Sequence, residues 1–171
     1  MPVQSMTLEH NRIAFIDLEA SGLGSNSFPT ELGWAIIKEN GSVESSSCLI
    51  KPLAKWTLYK NAWDQASERL TGITQEMLER DGLNPGEVMA RFHRGVGDRQ
   101  LFSDNPDFDA YWLAMLADAA GTSVETQKIG DANRIVGSKW SDRGTRHRAE
   151  PDARRLAVAF VSGNEQDMAD R

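Results

Sequence analysis

Residues 12–19, RIAFIDLE, constrain the fold more than any other part of the chain. Side chains alternate between the two faces of a strand, so Ile13 and Phe15 share one face with Asp17 and Glu19, and the residues between them are also apolar. A strand that is apolar on both faces lies inside a sheet. Acids that end such a strand must be hydrogen-bonded, paired with a cation or bound to a metal, because a buried lone carboxylate is costly. The segment therefore predicts a central strand with a site at its end.

The next part of the chain predicts an antiparallel start to the sheet, followed by helices. Residues 31–52 form two predicted strands joined at Asn40-Gly41, a dipeptide suited to the positive φ angles of a tight hairpin turn. Residues 67–82 predict one or two short helices. Asn84 and Pro85 provide an N-cap and a first helical residue for a helix that ends near Arg94.

The second half of the chain alternates strands and helices. Residues 99–105 predict a short strand, and residues 108–119 carry apolar side chains at helical spacing before Gly121, a helix stop. Residues 126–131 predict another short strand, and the apolar period after Pro151 predicts a last helix. The order β-β-β-α-β-α-β-α is typical of an α/β fold in which helices flank a mixed sheet.

Length and composition predict one domain. The chain has 171 residues, 40% of them hydrophobic, which suffices for one core. We expect a single domain over residues 1–171, with its core at about 11–162 and a polar tail at 163–171. The single cysteine, Cys48, excludes an internal disulfide and a cysteine zinc site. The sequence shows neither a signal-peptide pattern nor an apolar run of about 20 residues, so we expect a soluble, cytoplasmic protein.

The charge is unevenly distributed. A net charge of −6 argues against broad, nonspecific adhesion to nucleic acid. Residues 128–155, however, contain eight basic and four acidic residues around His147. This segment is either a solvated face or a surface that meets phosphate. The acidic remainder fits a site that receives part of its positive charge from bound metal.

Two further acids and one histidine are candidates for the same site as Asp17 and Glu19. Asp109 lies at the start of a predicted helix, where it is either a ligand or an acid favoured by the helix dipole. His147 and Asp152 bracket the start of the last helix, a position that favours anions. Carboxylate oxygens are the ligands that Mg²⁺ prefers, and a pair of such ions can drive phosphodiester hydrolysis. A metal-dependent nuclease is therefore the leading interpretation. His10 and His93 lie in polar surroundings and are expected at the surface.

Three segments resemble, in order, the exonuclease motifs of the DnaQ-like DEDDh 3′–5′ exonuclease family, which includes polymerase proofreading subunits, RNase T, oligoribonuclease and the TREX enzymes. They are FIDLEASGL (15–23), DNPDFDAYWL (104–113) and HRAEPDA (147–153). LTGITQEML (70–78) is similar to the segment usually found between the first two motifs. The resemblance covers about residues 13–160 and implies an RNase H-like fold.

The resemblance also implies a set of catalytic and metal-binding residues. Asp17, Glu19 and Asp152 would hold two Mg²⁺ or Mn²⁺ ions, and Asp109 would complete the set directly or through water. His147 would be the general base that takes a proton from the attacking water. We expect hydrolysis of phosphodiester bonds at the 3′ end of single-stranded DNA or RNA, with release of nucleoside 5′-monophosphates.

The same resemblance implies how the substrate end is held. The backbone near Ala20 and Ser21 would meet the terminal 3′-hydroxyl, and Leu23 would wedge against the last bases. The chain departs from the commonest pattern at Asp104, where many members have His, and at Ala20, where many have Thr. Several small members are dimers, so a homodimer is a further expectation. The motifs do not choose between DNA and RNA.

Two alternatives stay open from the sequence. The chain could be a catalytically silent module that binds nucleic acid or protein on an exonuclease scaffold. The acids could also form a purely structural divalent site, although His147 would then have no role. Trp34 and Trp112 are predicted in the core, and the tryptophans expected in loops are candidates for base stacking. These candidates are Trp56, Trp63 and Trp140.

Overall fold

The structure is a computed structural model that describes residues 9–136 and 147–169, with side chains as far as residue 163. The described residues form five strands and five α-helices. In chain order these are β1 Ile13–Ala20, β2 Pro29–Ile37, β3 Val43–Leu49, α1 Gln65–Thr71, α2 Gln75–Asp81, α3 Pro85–Val96, β4 Gln100–Ser103, α4 Pro106–Ala119, β5 Gly130–Asp131 and α5 Ala149–Ala169.

The strands form one mixed sheet in the order β3-β2-β1-β4-β5. β1 is the central strand, as predicted, and is antiparallel to β2 and parallel to β4. β3 continues the antiparallel half, and β5 continues the parallel half. The predicted α/β class, with an antiparallel start and flanking helices, is confirmed. The fold is the RNase H-like exonuclease fold.

The two faces of the sheet are covered by different helices. α5 packs on the face that carries Ile13 and Phe15, whereas α3 and α4 pack on the opposite face. The core beneath α5 includes Ala35, Ile37, Phe102, Leu156, Ala157 and Phe160. The core beneath α3 and α4 includes Ile16, Leu18, Leu32, Trp34, Val88, Phe92, Trp112 and Leu116. Because side chains alternate along β1, Asp17 and Glu19 lie on the face covered by α5.

Local predictions were confirmed where a side chain caps a helix. Asn84 accepts a hydrogen bond from the Glu87 backbone N–H at 2.9 Å, and Pro85 is the first residue of α3. Residues 67–82 belong to two short helices, as one of the alternatives predicted. Trp34 and Trp112 are buried, in agreement with the prediction.

Several boundaries differ from the predictions. β2 and β3 are joined by residues 38–42 rather than by a two-residue turn, and only Gly41, at φ 80°, has positive φ there. Half of residues 126–131, Thr126–Lys128, form a 3₁₀ turn, and β5 has just two residues. α5 begins two residues before Pro151 and continues through the predicted polar tail to Ala169.

None of the helices in the described ranges combines the length and the apolar character that crossing a membrane requires.

Candidate metal centre

β1 presents Asp17 and Glu19 at its carboxyl end. Asp17 is opposite Gly33 of β2, and Glu19 is opposite Glu31. The pairing with β2 shifts between Glu19 and Ala20, a bulge of the kind that often redirects side chains beside active sites. β1 and β4 are parallel neighbours, so the segments that follow both strands leave the sheet at the same edge.

Asp109 comes to this edge from the first turn of α4. Its side chain is 1% exposed. Its Oδ1 accepts a hydrogen bond from the Leu18 backbone N–H at 2.8 Å, and its Oδ2 accepts one from the Ser103 hydroxyl. These bonds join α4 to β1 and β4. Asp109 is therefore held by the sheet, and a cap on its own helix does not account for its position.

Glu31 fixes the start of α5 against the sheet. Its carboxylate accepts bonds from Arg148 Nε at 2.9 Å and Nη2 at 2.8 Å, and from the Ala149 backbone N–H at 3.0 Å. A Cβ at Gly33 would lie 2.3 Å from the Ala149 backbone, so only glycine permits this close approach of β2 and α5. Glu31 was not predicted as part of the site, because Arg148 and Ala149 are more than 100 residues away in the chain.

The predicted catalytic residues converge. All five line one pocket of about 230 Å³. They are Asp17, Glu19, Asp109, His147 and Asp152. Asp104, which the sequence analysis did not include among the ligands, lines the same pocket. Its signals in the sequence were its departure from the commonest pattern and its position three residues before Asp107, directly after β4.

The side chains fall into two groups with different chemistry. Asp17, Asp104 and Asp109 form what we call the carboxylate cluster, in which one oxygen from each residue lies within 4.8 Å of the others. Glu19, His147 and Asp152 form the histidine cluster, with one ligand atom from each within the same distance. Each cluster can hold a metal ion, and carboxylate oxygens are ligands that hard divalent cations prefer.

The concentration of negative charge changes how these acids titrate. Burial, with the charges of Asp109 and Glu19, raises the pKa of Asp17 well above its usual range. Burial and the neighbouring Glu31 raise the pKa of Glu19 to about 8, although Arg148 opposes the shift. Burial also raises the pKa of Asp109 to about 7, despite the hydrogen bonds from Ser103 and Leu18. Bound cations would favour the charged carboxylates.

One buried oxygen supports metal binding directly. Asp17 Oδ2 is buried and has no hydrogen-bond partner among the described residues. An ionised oxygen in that position is costly unless a cation or a donor satisfies it. The other donors are carboxylates and one imidazole, which are common ligands of divalent ions. The residues present therefore fit a divalent metal.

The three predicted substrate contacts are placed differently. Ala20 and Leu23 line the pocket, and Leu23 is 82% exposed at its mouth. Ser21 is not part of this lining, and its hydroxyl donates to the Ala62 carbonyl. Its backbone N–H and carbonyl are bonded to Phe28 and Asp64, at 2.9 and 2.7 Å. These bonds engage the Ser21 backbone within the protein, and contact of the backbone near Ala20 and Ser21 with the terminal 3′-hydroxyl stays a prediction.

The basic segment around His147 is largely engaged with protein groups where the structure describes it. Arg148 pairs with Glu31, and Arg155 pairs with Asp152. The other described cations also have partners: Lys128 with Glu125, Arg134 with Asp131, and Arg154 with the Val43 carbonyl. Lys139, Arg143 and Arg146 lie outside the described residues. The described part of this segment thus binds the protein's own acids.

The candidate stacking tryptophans are not exposed platforms where the structure describes them. Trp56 is buried in a 3₁₀ turn and stacks on Phe28, with ring centroids 5.9 Å apart, so it offers no exposed ring for base stacking. Trp63 is half-buried and donates to Glu68 Oε2 at 2.7 Å. Trp140 lies outside the described residues. Tyr111 is an exposed aromatic residue, and it lines a neighbouring cavity together with Leu23.

No family model matches this sequence. No curated protein matches it either.

Solved structures do resemble the fold. The chain is similar to E. coli Exonuclease I in complex with a dT13 oligonucleotide, with 16% identity, a TM-score of 0.60, and coverage of 90% of this chain and 40% of that one. It is also similar to the zinc-bound Exonuclease I complex with single-stranded DNA, at 16% identity and a TM-score of 0.67, covering 91% and 41%. A complex described as ExoI/SSB-Ct matches at 14% identity and a TM-score of 0.65, covering 91% and 42%.

The chain thus spans about 40% of the length of the Exonuclease I chains that it matches. At these identities the likeness establishes the fold, and the chemistry must be argued from the site.

Proposed function

We propose that this protein is a metal-dependent 3′–5′ exonuclease of the DEDDh type that acts on single-stranded nucleic acid. The observation that carries the proposal is the meeting of residues from three distant motifs in one pocket at the edge where β1 and β4 end. Solvated surface acids would not be expected to converge around a buried oxygen that has no hydrogen-bond partner within the described part of the chain. The likeness to Exonuclease I supports the proposal at the level of the fold.

The carboxylates would hold the ions. Asp17, Glu19, Asp109 and Asp152 are the ligands that the motifs assign, and all four line the pocket. When bound, a pair of divalent cations would activate water and stabilise the leaving 3′-oxygen. The protein's part is to fix the spacing of the ions and to exclude competing ligands.

His147 supplies the proton acceptor. One of its nitrogens lies within 4.8 Å of carboxylate oxygens of Glu19 and Asp152, so the imidazole is beside the metal ligands. It takes the proton of the attacking water, and the two neighbouring carboxylates stabilise the imidazolium that forms. Glu31 holds the backbone next to His147 through Ala149 and Arg148.

The shape of the pocket favours a free strand end. A volume of about 230 Å³ lies below the usual range of ligand pockets, so it accepts one nucleotide rather than a stacked base pair. Leu23 at the mouth would contact the bases, and Ala20 would lie beside the terminal sugar. Single-stranded DNA is the first substrate to test, since the Exonuclease I structures contain DNA oligonucleotides.

The test is a degradation assay on short single-stranded DNA and RNA, labelled at either end, with Mg²⁺ or Mn²⁺. We expect a ladder of 5′-labelled products that shortens with time, and immediate release of labelled nucleoside 5′-monophosphate from 3′-labelled strands. The controls are a chelator and the Asp17→Asn variant, which should both leave the strands intact. If the unaltered protein leaves the strands intact with Mg²⁺ and also with Mn²⁺, the proposed exonuclease activity is refuted. Binding without hydrolysis would then favour the silent interaction module.

A further inference from the structure

The loop between β4 and α4 brings a fifth carboxylate to the site. Asp104 follows directly after Ser103, the last residue of β4, and is half-buried. It lies at a position where the resemblance leads us to expect histidine in many exonucleases. One of its oxygens is within 4.8 Å of oxygens of Asp17 and Asp109. The difference from the common pattern therefore falls inside the metal centre.

The backbone of Asp104 is held in place from two sides. The Ser103 hydroxyl accepts a hydrogen bond from the Asn105 N–H at 2.9 Å while it donates to Asp109. The Asn133 side-chain amide donates to the Asp104 carbonyl at 2.8 Å. These bonds fix the loop on both sides of Asp104, so the approach of its carboxylate to the cluster is built into the fold.

The other two members of the carboxylate cluster do not complete a site by themselves. Each Asp109 oxygen already accepts a hydrogen bond, from Leu18 or from Ser103. Asp17 offers Oδ2, which is buried and has no partner among the described residues. Oxygens that share one Mg²⁺ at about 2.0–2.1 Å lie at most about 4 Å apart, and the three oxygens of the cluster lie within 4.8 Å of one another. Asp104 is thus close enough to give a third ligand.

We propose that Asp104 is a metal ligand of this protein, additional to the four acids of the motifs, and that it makes the carboxylate cluster a site for a hard divalent cation. The inference rests on the proposed function only in taking the same pocket as a metal centre. It concerns ion binding, and it can therefore be tested without any substrate.

The test is Mn²⁺ binding by the substrate-free protein. Binding is measured by calorimetric titration and by the paramagnetic resonance signal of free Mn²⁺. Asp104→Asn should weaken one class of Mn²⁺ site by at least about tenfold, since changes even beyond the ligand shell cost 10- to 100-fold. Asp107→Asn is the matched control, because Asp107 is an exposed acid on the first turn of α4. It should bind Mn²⁺ as the unaltered protein does.

Unchanged Mn²⁺ affinity in Asp104→Asn would overturn the inference, even if that variant had lost activity. Asp104→Glu, which keeps a carboxylate, should bind more tightly than Asp104→Asn, and equal binding by both would also count against a ligand role. If Asp104→Asn fails to fold by circular dichroism, Asp104→Ser replaces it in the titration. If Asp104→Asn binds Mn²⁺ more weakly but the unaltered protein cleaves no oligonucleotide, the exonuclease proposal is refuted and Asp104 remains a ligand. If Asp104→Asn binds Mn²⁺ normally and the unaltered protein is active, the ligand role of Asp104 is refuted and the exonuclease proposal remains.

Discussion

The carboxylate cluster and the histidine cluster share β1 but are built in different ways. The carboxylate cluster combines Asp17 with acids from the loop after β4 and from α4, and Asp109 is bonded directly to the β1 backbone. The histidine cluster combines Glu19 with residues at the start of α5, which Glu31 holds through a buried ion pair. The carboxylate cluster is thus anchored through the backbone of β1. The histidine cluster is anchored through the ion pair between Glu31 and Arg148.

The carboxylate cluster and the histidine cluster also differ in the chemistry that their side chains can perform. Three carboxylates can bind a cation but cannot accept a proton easily once a cation is bound. The histidine cluster contains the imidazole, and a guanidinium group pairs with its Asp152. We infer that the carboxylate cluster mainly holds charge in place, whereas the histidine cluster also transfers a proton. Variants of the two clusters should therefore fail in different ways.

The largest effect is expected from Asp17→Asn. This change replaces one carboxylate oxygen of a side chain whose Oδ2 has no partner in the ranges that the structure describes, and it removes a charge that burial disfavours. Hydrolysis of single-stranded oligonucleotides should fall by more than about 10³-fold, beyond the 10- to 100-fold typical of changes outside the ligand shell. The metal-free protein should unfold at a higher temperature, because a buried charge is lost. Nuclease assays and thermal unfolding in chelator measure the two effects, and a lower unfolding temperature would contradict this view of Asp17.

A smaller loss is expected from His147→Ala. A general base contributes about 10² to 10⁴ in rate, so kcat should fall within that range. Mn²⁺ binding at the carboxylate cluster should change less than twofold by titration, since the imidazole belongs to the other cluster. His93→Ala is the control, because His93 is an exposed histidine on α3. If His147→Ala lost the ion of the histidine cluster, the imidazole would be a ligand rather than a base.

Stability without metal should depend on pH in a defined direction. The folded-state pKa of Glu19 is about 8 and that of Asp109 about 7, above the values near 4 of unfolded chains. The folded state therefore holds extra protons between about pH 4 and pH 8, and the free energy of unfolding falls as pH rises through that window. Asp104, Asp17 and the neighbouring Glu31 contribute to the same repulsion.

Urea unfolding at pH 5 and pH 8 in chelator measures this effect. We expect a loss of a few kcal/mol at pH 8, on the order of what pKa shifts of this size imply. Saturating Mn²⁺ should remove most of that loss, because the cation favours the charged carboxylates. Metal-free protein that is equally stable at both values would show that the acids are compensated by other groups.

The sequence predicted the carboxylate cluster only in part. Asp17 and Asp109 were found because one ends an apolar strand and the other belongs to a motif. Asp104 was seen only as a departure from the commonest pattern, because nothing local distinguishes an acid that turns towards β1 from one that faces solvent. The sheet was predicted well, since its signals are periodicity and turn residues within single segments.

The support of the histidine cluster could not be predicted. Glu31 and Arg148 are 117 residues apart, so no local pattern reveals their ion pair. Nothing in the sequence distinguishes Gly33 from other residues of β2, although the absence of a side chain there is what allows the Ala149 backbone to approach closely. The bonds from the Ser21 backbone to Phe28 and Asp64 could not be predicted either, because they join separate segments of the chain. Long-range contacts of this kind depend on packing, which a sequence pattern does not encode.

The smallest effect is expected from Glu31→Gln, and this variant tests the difference between the two clusters most directly. Glutamine keeps an acceptor for the Ala149 N–H but removes the charge that binds Arg148 in two bonds. Removing one partner of a buried ion pair costs about 3–5 kcal/mol. Because the Arg148 side chain is one third exposed, we expect a smaller loss in the free energy of unfolding, about 2 kcal/mol by urea unfolding. The start of α5 should become less well fixed, and kcat should fall about tenfold with KM nearly unchanged.

A purely structural role for Glu31 would lower stability without that kcat effect at a temperature where the variant is fully folded. The matched control is Glu44→Gln, since Glu44 is an exposed acid on the neighbouring strand β3. Glu31→Gln should leave Mn²⁺ affinity at the carboxylate cluster unaltered, because that cluster is anchored through Leu18 and Ser103 instead. If the variant weakens both clusters equally, they are a single unit, and the separation of charge holding from proton transfer is wrong.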